Sequence, residues 1–345
     1  MVFFFGEDMK YLTIFAVCTF FMISCCESEL RTRTDTDYIF FGQWPQSLKS
    51  ENVSITTKSD IINGKTYYLG SDGEYYAKVE NAQPYYDKVI FSNSENVVAG
   101  NTYYFKLEPI KWRILTGKNT SNALIFAEQI ITQGYKFYPL KDSERYFEEG
   151  VGYLFHPRKI DGKDISPNNY EYSTVRAFLN GLDGTSYGVE NFTDIGFYDL
   201  AFSDSEKARI NKSIIDNSSI STTDYDKNGP QAYGFICNDT NDYLFLLSEY
   251  EITNPKYGFK KYDEEDENRR KKVCDYSRAI GGYVLMTDDN KYNGFGMYHL
   301  RSPVQAKANY CVRMINQYGD ANRISEIMYQ PIRPSVVPAM YIKMK

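Results

Sequence analysis

Met297-Tyr298-His299-Leu300-Arg301-Ser302-Pro303 runs as an extended segment into a proline, and Ser335-Val336-Val337-Pro338-Ala339-Met340 repeats the pattern later in the chain. Proline has no N–H to give to a central ladder, so each segment reads as a strand stopped or edged at its proline, Pro303 or Pro338. Two more strand patterns, residues 309–315 and 323–328, lie between them and are joined by a turn at Tyr318-Gly319-Asp320. This block is expected to form the centre of a β-rich α+β domain, one mixed or antiparallel sheet with a few short helices.

Working upstream, Tyr243-Leu244-Phe245-Leu246-Leu247 reads as a buried strand that leads straight into Ser248-Glu249-Tyr250-Glu251, a capping box. Ser203-Asp204-Ser205-Glu206 is a second capping box, opening a short helix through Ile210. The clearest helix covers 172–182, where Ser173 can cap and Val175, Phe178, Leu179 and Leu182 share one face. Residues 123–127, Ala-Leu-Ile-Phe-Ala, are apolar throughout and suit a central strand; residues 110–115 alternate as a half-buried strand does. Two aromatic runs flank Asp72-Gly73, whose residue types supply the positive φ values of a hairpin turn. Tyr38-Ile39-Phe40-Phe41 opens the ordered chain as a short strand closed by Gly42 and Pro45, with Trp44 as a packing anchor.

Between residues 263 and 272, acids are followed by bases, and Glu265–Arg269, Asp266–Arg270 and Glu267–Lys271 stand at i,i+4 spacing, which reads as a solvated helix or loop. A calcium loop is the sharper alternative, but the central Gly and terminal Glu of an EF-hand are missing.

Composition narrows the function classes. Hydrophobic residues at 42% and charged residues at 24% are globular proportions, and a net charge of -6 without a long basic run argues against nucleic acid. Just two histidines, His156 and His299, argue against a histidine zinc site and a Ser-His-Asp relay, so neither metal nor cofactor is expected. Tyr (32) and Phe (22) are abundant. Their rings suit ligand-contact surfaces, though AT-rich codon usage yields the same excess.

Residues 12–23 are an apolar run too short to span a bilayer, but matched to the h-region of a secretory signal, with Met9 as an alternative start that removes Glu7 and Asp8 from the leader. The run ends in Met22-Ile23-Ser24-Cys25-Cys26, which resembles a bacterial lipobox. That resemblance implies a signal peptide over 1–24 and acylation of Cys25, with Cys26 as the alternative, so that membrane lipid is the first partner. It places the protein in the cell envelope, on the outer-membrane surface or the periplasmic leaflet. The expected organisation continues with a tether over 25–37, a β-hairpin extension over 38–100 and a main β-rich domain over 101–345. An envelope location permits disulfides, and Cys237, Cys274 and Cys311 allow three alternative single pairings.

The chain also resembles a bacterial domain-of-unknown-function family, number 6273, found on spirochaete lipoproteins and secreted Firmicute proteins. The boxes that carry the resemblance are Gly42-Gln43-Trp44-Pro45-Gln46, Tyr67-Tyr68-Leu69-Gly70-Ser71-Asp72-Gly73, Glu108-Pro109-Ile110-Lys111-Trp112-Arg113-Ile114-Leu115, the helix with Arg176 and Asn180, Phe245-Leu246-Leu247-Ser248-Glu249, and Leu300-Arg301-Ser302-Pro303. Tyr298-His299 departs from the family's Trp-Trp, Val337 stands at an Arg position, and Cys274 replaces a Thr cap. The order of boxes is similar to C-type-lectin-like domains, the scaffold shared with formylglycine-generating enzymes; this bears on fold alone, since their calcium and catalytic cysteine motifs are missing.

Trp44, Trp112, Arg176, Pro303 and Pro338 are expected to be structural. Arg301, two residues before Pro303, is expected to bridge loop carbonyls with its planar fork or to touch ligand; Tyr298 and His299 alternate faces, so one should point inward, and both are ligand-contact candidates, His299 otherwise being a satisfied, half-buried histidine. The favoured reading is a non-catalytic binding or adhesion module for glycan or for host or envelope protein. A structural envelope lipoprotein is the alternative. A hydrolase using Glu249 and Glu251 is a third. Solvent-facing aromatics around residues 283–300 would favour binding, and a cleft with two facing carboxylates would favour the enzyme.

Overall fold

In a computed structural model, the described residues are 37–133, 137, 145–149, 152–223, 237–262, 264–304, 310–321, 323–326 and 335–345. The expected signal sequence, Cys25, Cys26 and all but the last residue of the expected tether lie outside them. Among the described residues, no helix is long and apolar enough to cross a membrane.

The first seven strands are β1 (Tyr38–Leu48), β2 (Ile55–Ile62), β3 (Lys65–Gly70), β4 (Tyr75–Val79), β5 (Tyr103–Thr116), β6 (Ala123–Ala127) and β7 (Gln129–Ile130). Among the described residues, five short α-helices follow: α1 (Thr174–Asn180), α2 (Phe197–Ala201), α3 (Asp204–Lys207), α4 (Glu249–Ile252) and α5 (Asp275–Ala279). β6 is paired on both edges, by β5 and by the strand Ala339–Ile342, and is buried at every residue. A run apolar on both faces can sit nowhere else without exposing hydrophobic surface.

These strands belong to a nine-stranded sheet that runs from Ile210–Asn211 through Ala339–Ile342, β6, β5, β4 and β3 to β2, with β1 also on β5 and Leu244–Phe245 also on Ala339–Ile342. Every pairing in it is antiparallel. The hairpin segment before residue 100 and the chain after it share this sheet, through β4 on β5 and β1 on β5. Its core side is aromatic: Trp112, Phe105 and Phe126 are fully enclosed, and Phe202 packs against Phe41, Trp112 and Phe197.

Several expectations need correction. The segment Tyr298–Pro303 is not in the central sheet. It pairs with Cys311–Ile315, which pairs with Arg323–Glu326, in a separate three-stranded sheet. It meets the 335–342 segment through a parallel bridge between Tyr298 and Ser335. The centre of the large sheet is β5 and β6. β1 does not end at Gly42 or Pro45; it runs on to Leu48, taking up Gly42 in a register shift where φ is 69°. The β3–β4 turn is not a two-residue hairpin loop, because Gly73 alone of the pair has positive φ (83°), and the Gly70 N–H donates to the Glu74 carbonyl at 2.8 Å. α3 ends at Lys207, and Ile210 already belongs to a strand.

Residues 264–272 form turns and a short strand, so of the helix and loop alternatives the segment is a loop, but one whose Asp266, Arg269 and Lys271 are buried and not solvated. The i,i+4 ion pairs give way to i,i+3 contacts, Asp266–Arg269 at 3.7 Å and Glu267–Arg270 at 3.4 Å. The reason is tertiary. The Asp266 carboxylate accepts the N–H groups of Lys260 and Asn268 at 2.8 and 2.9 Å, while buried Arg269 donates to the carbonyls of Lys261 and Glu264. Among the described residues, no group of three or more His, Cys, Asp or Glu side chains could hold a metal ion.

Candidate functional site

The polar residues of the sequence boxes turn inward. Ser173 caps α1 and accepts the Arg176 N–H at 3.1 Å. Arg176 then clasps Asp242 with Nε and Nη2, at 2.9 and 2.8 Å. One turn on, Asn180 bonds both sides of the 243–244 backbone, accepting from the N–H groups of Tyr243 and Leu244 and donating to the Leu244 carbonyl at 2.8 Å. α1 thereby clamps the Leu244–Phe245 strand to the sheet edge. The two tryptophan N–H groups do the same for β1: Trp44 donates to the Ile131 carbonyl and Trp112 to the Phe41 carbonyl, each at 2.7 Å. Pro338 supplies a carbonyl to the Ala127 N–H at 3.0 Å, and Pro303 pairs with Val312.

Tyr298, His299 and Arg301 are all enclosed, with exposures of 1%, 2% and 4%. Tyr298 donates its hydroxyl to the Arg269 carbonyl at 2.8 Å. His299 meets the Phe137 ring edge-on at 5.5 Å, and burial pulls its pKa down to about 3. Arg301 bonds the carbonyls of Asp216 (2.9 Å) and Leu246 (2.7 Å) and both oxygens of Glu251. No ligand reaches these side chains without opening the core.

The carboxylates considered for hydrolysis are committed in the same network. Glu251 closes the α4 capping box as well as binding Arg301. Glu249 is fully buried against Arg313 at 2.9 Å, and its N–H donates to the Ser302 hydroxyl at 3.0 Å. They do not face each other across a cleft.

An open cleft of about 440 Å³ lies elsewhere, where β1, β5, β7, the strand Lys271–Val273 and the start of α5 come together. Its floor is a pair of amides. Gln46 donates to the carbonyls of Glu108 and Pro109 at 3.0 and 3.2 Å and accepts from Gln129 Nε2 at 2.9 Å. At the α5 end, the Asp275 carboxylate accepts the Ser92 N–H and hydroxyl, each at 2.7 Å, and the Leu48 N–H at 3.2 Å. Arg278 stands 3.9 Å from it and holds the carbonyls of Val273 and Ile90. Phe40 and Pro109 make an apolar wall; Lys272 pairs with Gln129, and the Lys111 carbonyl accepts the N–H of the preceding residue, Glu128. Cys274 also lines the cleft, but burial pushes its thiol up to about 12, so at neutral pH it is a thiol and not a nucleophile. No disulfide joins Cys237, Cys274 and Cys311.

Residues 120–343 match the family described as a domain of unknown function (DUF6273). The chain belongs to that family. Neither a curated protein nor a solved structure matches it. The cleft straddles the start of the DUF6273 match: Phe40, Gln46, Glu108 and Lys111 precede it, whereas Gln129, Lys272 and Asp275 lie inside it. From Lys272 an aromatic strip leads away from the cleft. The Lys272 ammonium lies 5.7 Å from the Phe295 ring centre, Arg270 covers both Phe295 and Tyr292, and Tyr292 meets Tyr318 edge-on at 4.9 Å. These rings are half-buried or, for Tyr318, 37% exposed.

Sequence reading missed the cleft. Gln46 closes the Gly42-Gln43-Trp44-Pro45-Gln46 box, and that was the one available signal. Gln129, Lys272 and Asp275 carry none, because they meet Gln46 and Ser92 only through tertiary pairing.

Proposed function

We propose that this is a lipid-anchored, non-catalytic binding module of the bacterial cell envelope, and that its cleft takes a glycan in preference to a protein ligand. The observation that carries the reading is the make-up of the cleft: planar amides, serines and lysines beside one aromatic wall, continued by half-exposed rings. Sugars present hydroxyls that both donate and accept, together with apolar C–H faces that pack on rings, and this mixture answers both. The cleft's hydroxyl–carboxylate contact, Ser92 on Asp275, is taken up in structure, because the same carboxylate also accepts the Ser92 and Leu48 N–H groups and stands beside Arg278, and this supports binding over turnover. The Met22-to-Cys26 box supports the anchor. The closing order of strand, loop and returning strand over 298–342 supports a scaffold of the C-type-lectin-like kind. The structural-lipoprotein reading draws support from the inward commitment of Arg301, Glu249 and Arg176.

The test is a broad glycan and extracellular-matrix panel probed with the purified protein. Retention of glycans, lost when Gln46 and Gln129 are both changed to Ala, is the expected result. A blank across the panel transfers the protein to the structural reading.

A further inference from the structure

The balance of charge in the cleft says which glycans. We infer that the cleft selects sugar units bearing an anionic group, carboxylate or sulfate, held between Lys111 and Lys272; this rests on the glycan reading above.

Five charged side chains line the cleft. Asp275 is enclosed, saturated by Ser92 and Leu48, and offset by Arg278. Glu108 is turned to the β1 backbone, where its Oε2 accepts the Ser47 N–H at 2.9 Å. The two lysines differ from both. Among the described residues, neither Lys111 nor Lys272 has a carboxylate within ion-pairing distance, although neighbouring Arg113 and Lys271 share Glu128 at 2.9 Å each. Each lysine instead rests on a ring face, Lys111 at 4.2 Å from the Tyr38 centre and Lys272 at 5.7 Å from that of Phe295. A ring face orients an ammonium without neutralising it, so the charge stays available to a ligand.

Strand pairing sets their separation. The Glu128 N–H donates to the Lys111 carbonyl, so the residue just before β7 lies beside β5, and Lys272 pairs with Gln129, the first residue of β7. Two strand spacings put the lysine backbones roughly 10 Å apart, a span that one or two sugar rings bridge. Within a chain of net charge -6, two uncompensated ammonium groups over an amide floor attract anions locally while the rest of the surface repels them.

Calorimetry with the whole protein tests this on three probes: hexagalacturonate, its fully methyl-esterified form, and a sulfated carrageenan hexasaccharide. At least one acidic probe should bind with an affinity that falls as salt is raised. The methyl ester, equal in ring shape but uncharged, should bind on the order of tenfold more weakly than the acid if the carboxylate is the recognised group. Both lysines are partly exposed, so Lys111→Gln with Lys272→Gln leaves the fold intact and should erase the acid preference, and Arg at both positions should keep it. Equal binding of acid and ester, with no binding of the sulfated probe, overturns the inference. So does an acid preference that survives the double Gln variant, or binding confined to neutral members of the glycan panel; all three leave the glycan reading standing. Silence from these probes and from the whole panel removes both.

Discussion

Arg301 holds Glu251 by two N–H groups, Nη1 to Oε2 at 2.5 Å and Nη2 to Oε1 at 3.0 Å, and so ties the strand Tyr298–Pro303 to the first turn of α4. The same Glu251 accepts the Ser248 N–H that completes the capping box. One side chain therefore serves a helix end and an inter-element ion pair together. Breaking a fully buried pair strands a charge in low dielectric, which costs about 3–5 kcal/mol, and with the Glu251 side chain 15% exposed this pair belongs at the lower end of that range.

Arg301→Met should therefore lose about 3 kcal/mol or more of unfolding free energy in urea. Arg301→Lys should recover little, since one ammonium cannot reach the Asp216 and Leu246 carbonyls and both carboxylate oxygens at once. Adding Glu251→Gln to Arg301→Met removes the stranded charge and should restore part of the loss. A double-mutant cycle with no coupling between the two positions contradicts this account.

Gly42 stands where β1 shifts register against β5, with φ 69° and its N–H donated to Glu206 at 2.9 Å. A Cβ there would lie 2.5 Å from the Phe202 ring and 2.9 Å from the Ala201 carbonyl oxygen. The ring could turn aside, but the carbonyl is backbone. Gly42→Ala combines backbone strain with overpacking and should cost about 2–4 kcal/mol in chemical denaturation, against about 0.5 kcal/mol or less for an ordinary surface change. Gly73→Ala also has positive φ but open space around it, and should cost less.

These two sites mark what could be read from sequence and what could not. Signals that close over four residues were legible: Ser173, Ser203 and Ser248 each cap the helix their spacing announces, because donor and acceptor are fixed by the local backbone. The all-apolar β6 was legible as a central strand for a similar reason. Partner choice was not. The segment around Arg301 has the same pattern whichever sheet it joins, and the charges at 264–271 have the same i,i+4 spacing whether solvated or buried. What buries Asp266, Arg269 and Lys271 is backbone and carboxylate supplied by Lys260, Lys261 and Glu128. The cleft was hidden for the same cause, its Ser92–Asp275 contact joining residues 183 apart.

The lipobox reading is checked by partition. Cys25→Ser should move the protein from the detergent phase to the aqueous phase and abolish acyl labelling, since no other anchor is proposed. Cys26→Ser should leave both unchanged. Detergent-phase retention of the Cys25 variant would sink the anchor assignment.

His299 predicts a specific acid limb. Its folded pKa, about 3, is far below the ordinary value of 6.5, and the cause is burial. Above pH 6.5 the ring is neutral in both states and contributes no pH dependence. Below 6.5 the unfolded chain takes up a proton that the folded chain refuses, so stability falls as pH drops toward 3, by an upper bound of about 5 kcal/mol. His299→Gln has no such group, and its stability should fall less steeply across that window, whatever its absolute value at pH 7. Parallel slopes for the two proteins would mean that the imidazole takes up its proton as readily in the fold as in the unfolded chain.

Lys271 predicts the opposite limb. It is enclosed, paired with Glu128 at 2.9 Å, and lies 4.4 Å from the Phe126 ring centre, yet desolvation outweighs these partners and lowers its pKa to about 8. Below pH 8 both states carry the proton, and the folded state bears the full cost of burying the ammonium. Between 8 and the ordinary 10.5 the folded chain gives up its proton first, the unfolded chain binds more, and this group's contribution to stability rises with pH. The rise is bounded at about 3 kcal/mol. Buried tyrosines work the other way above pH 10: Tyr298 and Tyr170 have raised pKa values, so the unfolded chain ionises first and stability falls. Lys271→Met keeps those tyrosines and leaves Glu128 with Arg113, so the wild-type minus variant difference isolates the lysine. That difference should climb in favour of wild type from pH 8 to 10. A flat difference would mean that Glu128 and the Phe126 ring hold the ammonium at its ordinary pKa inside the fold.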